Sequence, residues 1–215
     1  IAPNDSVERF TALGVRVIQA AGQFVGKRVL QAGEHRIRAR RFVIATGSSP
    51  IVPPIPGLDD VPCFTNETIF DNASPISHLI VIGAGPIGLE LAQAHLRLGS
   101  KVTVLEAAVA LGNEDQELAA HVVKALREEG VDIREGAAVE QVEGSDGDIR
   151  VTFKAGDKTQ AVEGTHLLVA TGRRPNVADL NLEAAKVKYD KRGIRVSDGL
   201  VTSNRRIFAI GDCAG

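Results

Sequence analysis

Residues 79–90 read LIVIGAGPIGLE: an unbroken apolar run, then glycines at 83, 85 and 88. The run is what a strand buried on both faces of a parallel sheet requires, and Ile87, Leu91, Ala94 and Leu98 continue at helical spacing. A G-x-G-x-x-G triplet alone is weak evidence. Set between a buried strand and a helix, it predicts a dinucleotide-binding turn. In that reading Gly83 makes the tight turn out of the strand, Gly85 leaves no Cβ in the path of a pyrophosphate, and Gly88 lets helix and strand pack closely. The helix start offers N–H groups and a partial positive charge to phosphates. Pro86 suits this first turn, where helix bonding does not need its missing N–H.

Downstream, Gly99 ends the helix and 102–105 is a second buried strand. Glu106 closes it, roughly 20 residues after the first glycine, where an acid accepts the hydroxyls of a ribose. Its carboxylate would oppose the 2′-phosphate of NADP, and the following AAVA supplies no arginine, so NAD is the expected cofactor. The plainer readings are a structural glycine turn and a solvated strand-end acid. A second helix is expected over 115–129, with Leu118, Val122, Ala125 and Leu126 inward and Gly130 as its stop. VDIR is a third strand. AVEQVE, DIRVTFK and TQAVE then form a meander leading into the strand 167–170 and an ATG turn.

That turn has a counterpart. HLLVATGRRP at 166–175 repeats RFVIATGSSP at 41–50, GVDIREGAA repeats GVRVIQAAG, and short β-like runs at 28–31, 35–38 and 42–45 repeat the meander. Two copies of one unit are implied, with the front of the first lacking before Ile1, so the chain reads as processed or as a piece of something longer. The strands at 42–45 and 207–210 are then expected to pair in parallel across the inserted copy. Near the start, Asp5 or Ser6 is placed to cap a short helix ended by Gly14, with VRVI as a strand. SSPIVPPIPGLDDVPC has five prolines and no period, which suggests an inter-domain linker. The expected divisions are 1–70, 71–197 and 198–215. The fold class is α/β: a Rossmann-like dinucleotide-binding domain of parallel sheet plus β-meander, with part of a second, homologous domain.

Composition excludes other classes. A net charge of -2 with signs interspersed gives no footprint for nucleic acid or a membrane surface. No apolar run reaches bilayer length and no signal pattern opens the chain, so a cytoplasmic location is the default. Cys63 and Cys213 have no partner at catalytic spacing, no cluster suggests a metal, and the scattered histidines, His95 and His121 among them, receive no role.

FVIATGSSP, FTNETIF, GAGPIGLE with LGSKVTVLE, VATGRRPN and VTSNRRIFAIGDCAG together make nearly the whole chain resemble the middle of an FAD-dependent pyridine nucleotide-disulfide oxidoreductase of the dihydrolipoamide dehydrogenase and mercuric reductase type. The resemblance implies that one unit serves FAD and its copy NAD. Thr46, Gly47 and Ser48 would lie beside FAD, Asp212 would bind the ribityl chain (or cap a turn), and Gly172 would approach the nicotinamide half of NAD. Ile87 and Val139 would adjoin the NAD. Glu90 would act near the flavin and nicotinamide rings, its plainer role being a partner for the helix dipole. Pro86 stands where some members carry a gating tyrosine. The implied activity passes hydride from NADH to FAD and electrons on to a disulfide. The FAD fingerprint, the CxxxxC pair and the C-terminal dimerisation domain of a homodimeric parent lie outside this chain, so the chain alone is expected to bind NAD, carry no FAD and do no chemistry. The alternatives are a ferredoxin or rubredoxin reductase without redox cysteines and a non-catalytic NAD-responsive flavoprotein.

Overall fold

The computed structural model describes Asn4 and residues 6–215; Asp5 lies outside the described residues, and Ser6 caps the helix Val7–Ala12 by accepting from the Arg9 N–H. The chain forms two compact units, one continuous (Pro50–Arg173) and one discontinuous (Ile1–Ser49 with Arg174–Gly215). These limits differ from the expected 70 and 197, for reasons of packing. Leu58 and Val61 of the proline-rich segment are buried with Val142, Ile149 and Phe153, and the Pro56 carbonyl accepts from the Val142 N–H at 2.9 Å. The segment is therefore a strap on the continuous unit rather than a linker. At the other limit, Leu182, Ala185 and Ile194 join Phe24, Ile44 and Ile207 in the core of the discontinuous unit.

The continuous unit is built on a four-stranded parallel sheet in the order His166–Val169, His78–Ile82, Lys101–Leu105, Asp132–Arg134. Val169, Ile82, Leu105 and Arg134, the last residue of each strand, stand in one row. Whatever follows these strands emerges at one edge. Alternation sorts the central strand between two cores: Leu79 and Val81 face the helices Pro86–Arg97 and Gln116–Glu129, whereas Ile80 and Ile82 face the antiparallel meander Ala137–Ser145, Asp148–Ala155, Lys158–Gly164.

Both helices bury only part of the stripe read in the sequence: Leu91 and Leu126 are in the core and Ile87 packs against it. Pro86–Arg97 buries Gly88, Leu89, Leu91 and Ala92, while Ala94 and the cap Leu98 are exposed. Gln116–Glu129, capped by Asp115, buries Ala119, Val123 and Leu126 and leaves Leu118 67 % exposed and Val122 46 % exposed. Each helix carries two overlapping apolar stripes one residue apart, and the one richer in small residues takes the close approach to the sheet.

The discontinuous unit repeats the plan in part. Gly22–Gly26, Val29–Ala32 and His35–Arg38 form an antiparallel meander, and Phe42–Ile44 pairs in parallel with Ile207–Ala209, as the interrupted duplication requires. VRVI is not a strand: Val15 and Val17 are exposed, and the ladder begins at Gly22, where a partner accepts it. Among the described residues no helix is long and apolar enough to cross a membrane.

Candidate functional site

At the shared edge of the parallel sheet, the strand order reverses between His78–Ile82 and His166–Val169. Chains leaving neighbouring strands toward opposite sides at such a point open a crevice. A cleft of about 370 Å³ lies there, with Gly83–Ile87 on one wall and Val169–Gly172 on the other; Asn66, Glu106, Ala108, Val109, Leu111, Gly112 and Asn113 complete the lining. No lysine or arginine lines it.

The three glycines answer to different constraints. Gly83 has φ 105°, and a Cβ there would stand 2.5 Å from the Ala170 carbonyl oxygen. A Cβ on Gly88 would overlap the Gly83 carbonyl oxygen, so the helix seats against the turn only because both residues lack side chains. Gly85 differs, since a Cβ there would meet nothing within 4 Å. It is the glycine whose missing side chain keeps space open in the cleft. Pro86 opens the helix with Gly85 as its cap, and the N–H groups of Ile87 and Gly88, in the first turn, have no intrahelical acceptor.

Glu106 follows its strand on the same edge. Its carboxylate accepts from the Ala84 N–H and the Ala108 N–H, each at 2.9 Å, while the Ala84 carbonyl accepts from Leu111 at 2.9 Å. The glycine turn is thereby fastened to the acid and to the segment after it. Val139 lies in an adjoining hollow of about 310 Å³ that shares Gly83, Glu106 and Thr171 with the main cleft. Gly172 has φ 141°, a conformation rarely adopted by L residues, and its carbonyl accepts from the Ile51 N–H. Glu90 is exposed on the helix and does not line the cleft.

The remaining candidates belong to the discontinuous unit. Thr46 and Ser48 follow Phe42–Ile44, and Asp212 follows Ile207–Ala209, so parallel pairing brings them to one edge. The Ser48 hydroxyl donates to Asp212 at 2.7 Å. Gly47 (φ 66°) sits in the turn between. Asp212 does not cap this turn: it lies inside the 3₁₀ segment Gly211–Cys213, whose cap is Ile210. Cys213 is buried, its thiol donating to the carbonyls of Ile210 and Ile44. Cys63, in the continuous unit, is half-buried, and burial followed by the Asp59 charge pushes its thiol pKa up, away from the reactive thiolate.

Several contributors escape a motif reading. Asn176 knots the first ATG turn: its carbonyl accepts from the Thr46 hydroxyl at 2.7 Å, its amide donates to the Thr46 carbonyl at 3.1 Å, and its side-chain oxygen accepts from Ser49 at 2.9 Å. In the continuous unit Arg173 donates to Asn66 at 2.9 Å and pairs with Glu67 at 3.1 Å. The signal for Asn66 and Glu67 was the FTNETIF stretch, noted without roles for single residues. Among the described residues no cluster suits a metal ion.

Comparison with known proteins bears on both units. A family model described as pyridine nucleotide-disulphide oxidoreductase matches residues 3–215. The mercuric reductase of Bacillus cereus is 40 % identical over 202 residues, 93 % of this chain and 32 % of that protein. The mercuric reductase of Staphylococcus aureus is 34 % identical over 210 residues, 97 % of this chain and 38 % of that one. Among solved structures, the Cu(II) complex of the HOCl-induced flavoprotein disulfide reductase RclA from Escherichia coli superposes with a TM-score of 0.83 at 31 % identity, covering 96 % of this chain and 48 % of its own. The chain thus spans roughly a third of these curated relatives and about half of the solved one.

Proposed function

Because the chain belongs to the pyridine nucleotide-disulphide oxidoreductase family, we propose that its continuous unit binds NADH in the cleft between Gly83–Ile87 and Val169–Gly172, and that in the complete protein the hydride passes to FAD and the electrons to a disulfide. The observation that carries the NADH reading is Glu106, held at hydrogen-bond distance from the glycine turn in a cleft lined by no cation. A carboxylate so placed accepts ribose hydroxyls and repels a 2′-phosphate.

The residues present fit the dinucleotide. Gly85 leaves open space where a side chain would stand, and the first-turn N–H groups of Ile87 and Gly88 donate to phosphate oxygens with the support of the helix dipole. Glu106 would orient the adenosine ribose, with Val139 beside it, and Gly172 would border the nicotinamide end. In the discontinuous unit, Thr46, Gly47, Ser48 and Asp212 are the residues that would contact FAD. When bound, NADH supplies a hydride and FAD relays its two electrons to a disulfide, which takes up two protons as it becomes two thiols. Glu90, exposed at the second turn of the helix and outside the cleft, is assigned a place near the reacting rings by the family resemblance alone.

Titration of the chain with NADH and NADPH by calorimetry tests this reading. NADH is expected to bind at least about tenfold more tightly, a difference of about 1.4 kcal/mol. Equal affinities, or no binding of either, would overturn it.

A further inference from the structure

Segment 107–112 forms one wall of the cleft through Ala108, Val109, Leu111 and Gly112, yet it has no helical or strand bonding of its own. Its shape depends on a few anchors. Ala108 is tied to Glu106, and Leu111 to the Ala84 carbonyl. Leu111 also has φ 54°, a left-handed conformation unfavourable for a non-glycine residue. A segment carrying that cost relaxes unless its neighbours are fixed.

The Ala108 carbonyl accepts from the Gly136 N–H and the Leu111 carbonyl from the Gln116 side-chain amide, and a further anchor comes from the next strand. Glu135 follows Arg134 as Glu106 follows Leu105, so the aligned strand ends set the two acids side by side. The Glu135 carboxylate accepts from the Ala110 N–H at 2.9 Å and pairs with Arg127 at 2.8 Å. Arg127, on the helix Gln116–Glu129, also donates to the Ile133 carbonyl at 3.2 Å. The Ala110 N–H, and next Arg127, hold the Glu135 carboxyl below the usual carboxylate range. As a partly exposed ion pair this contact adds little to the stability of the fold. As an acceptor for the residue before Leu111, it holds the backbone of the wall next to the left-handed residue. Glu135 and Arg127 line a separate groove of about 450 Å³ behind the segment and do not line the cofactor cleft.

We propose that Glu135, braced by Arg127, is a positioning residue for segment 107–112 and so sets NADH affinity from behind the wall without touching the nucleotide. This rests on the NADH reading above.

Amide hydrogen exchange and NADH titration on the same preparations test it, in the unsubstituted chain, Glu135→Ala, Glu135→Gln and Arg127→Met. In Glu135→Ala, exchange at Ala110 and Leu111 should quicken about tenfold and Kd for NADH rise about tenfold, as when the wall is in place in about one molecule in ten. Ala92, in the other helix, should exchange as before. Glu135→Gln keeps an acceptor for Ala110 and should recover most of both losses; Arg127→Met should give a two- to threefold loss in affinity by the same relation. Discrimination against NADPH should persist in every variant, since Glu106 is intact. Unchanged exchange at Ala110 and Leu111, or quickened exchange with unchanged NADH affinity, would overturn the proposal. If Glu135→Ala does not fold, the other two variants decide it, and unsubstituted behaviour in both overturns it. Failure of the unsubstituted chain to bind NADH would instead refute the NADH reading, and the affinity claim with it, leaving exchange to judge the anchoring alone.

Discussion

Replacing Gly85 by alanine should leave the fold intact and remove nucleotide binding. Gly85 has φ −74° and ψ 177°, which alanine adopts without strain, and its Cβ would meet no atom within 4 Å. A Gly→Ala change at a compatible position restricts the unfolded chain and adds up to about 1 kcal/mol of stability. The same methyl, however, would stand in the cleft that Gly85 lines. Pushing a pyrophosphate away from the first-turn N–H groups forfeits one or two charge-assisted hydrogen bonds of about 1.5–3 kcal/mol each. A loss of about 3 kcal/mol is about 150-fold in Kd. Urea denaturation and NADH titration of one sample read both quantities. A Gly85→Ala protein that binds NADH like the parent would refute the argument, because the phosphates would then not cross this turn. Loss of stability would refute it differently, by showing that the space is not open. Gly88→Ala is the contrasting case: overlap with the Gly83 carbonyl should cost about 1–3 kcal/mol of stability, outweighing the helix-propensity gain of about 1 kcal/mol.

Glu106→Ala should weaken NADH binding about tenfold while narrowing the gap to NADPH, since about 1.4 kcal/mol of ribose recognition and the repulsion of a 2′-phosphate disappear together; paired titrations check this. Leu126→Ala, in the buried stripe, should destabilise by about 2–5 kcal/mol, whereas Leu118→Ser on the exposed stripe should stay within about 0.5 kcal/mol, both read by urea denaturation. Leu58→Ala should cost about 2–5 kcal/mol if the proline-rich strap belongs to the core, and nothing if it is a free linker. Burial, with a smaller push from Lys101, lowers the pKa of His78. The folded state thus prefers the neutral ring, and its contribution, full above about pH 6.5, is lost as pH falls from there through the folded value. His78→Gln should flatten that part of the stability–pH curve.

The parallel sheet and its glycine turn were legible because their signals are local: runs of branched apolar residues, and glycines at a fixed spacing, one for a left-handed turn (Gly83), one for open space (Gly85) and one for close packing (Gly88). The internal repeat was legible too, and it foretold the pairing of Phe42–Ile44 with Ile207–Ala209. The helix faces were read only in part because Leu118 and Ala119 begin competing stripes, and only the distance to the sheet chooses between them. VRVI was misread because β-propensity describes one strand, whereas a ladder needs two. The proline-rich strap looked like a linker because its two anchors, Leu58 and Val61, show no period. Glu135 was invisible because it works through a backbone group far away in sequence, that of Ala110, whereas Asn176 stood in the VATGRRPN stretch without a role, its tie to the Thr46 carbonyl being a long-range contact.

The split of the discontinuous unit also orders events as the chain is made. Phe42–Ile44 waits for a partner that is synthesised only after Pro50–Arg173 is complete. The two ends of that unit are joined to each other: the Ile51 N–H donates to the Gly172 carbonyl, and the Thr171 hydroxyl donates to the Ile51 carbonyl, each at 2.9 Å. Once it has folded, the effective loop between the two late-pairing strands shrinks from roughly 160 residues to roughly 40, lowering the entropy of closure by about 1 kcal/mol. The joined ends of Pro50–Arg173 would thus act as a clasp from which pairing of Phe42–Ile44 with Ile207–Ala209 starts.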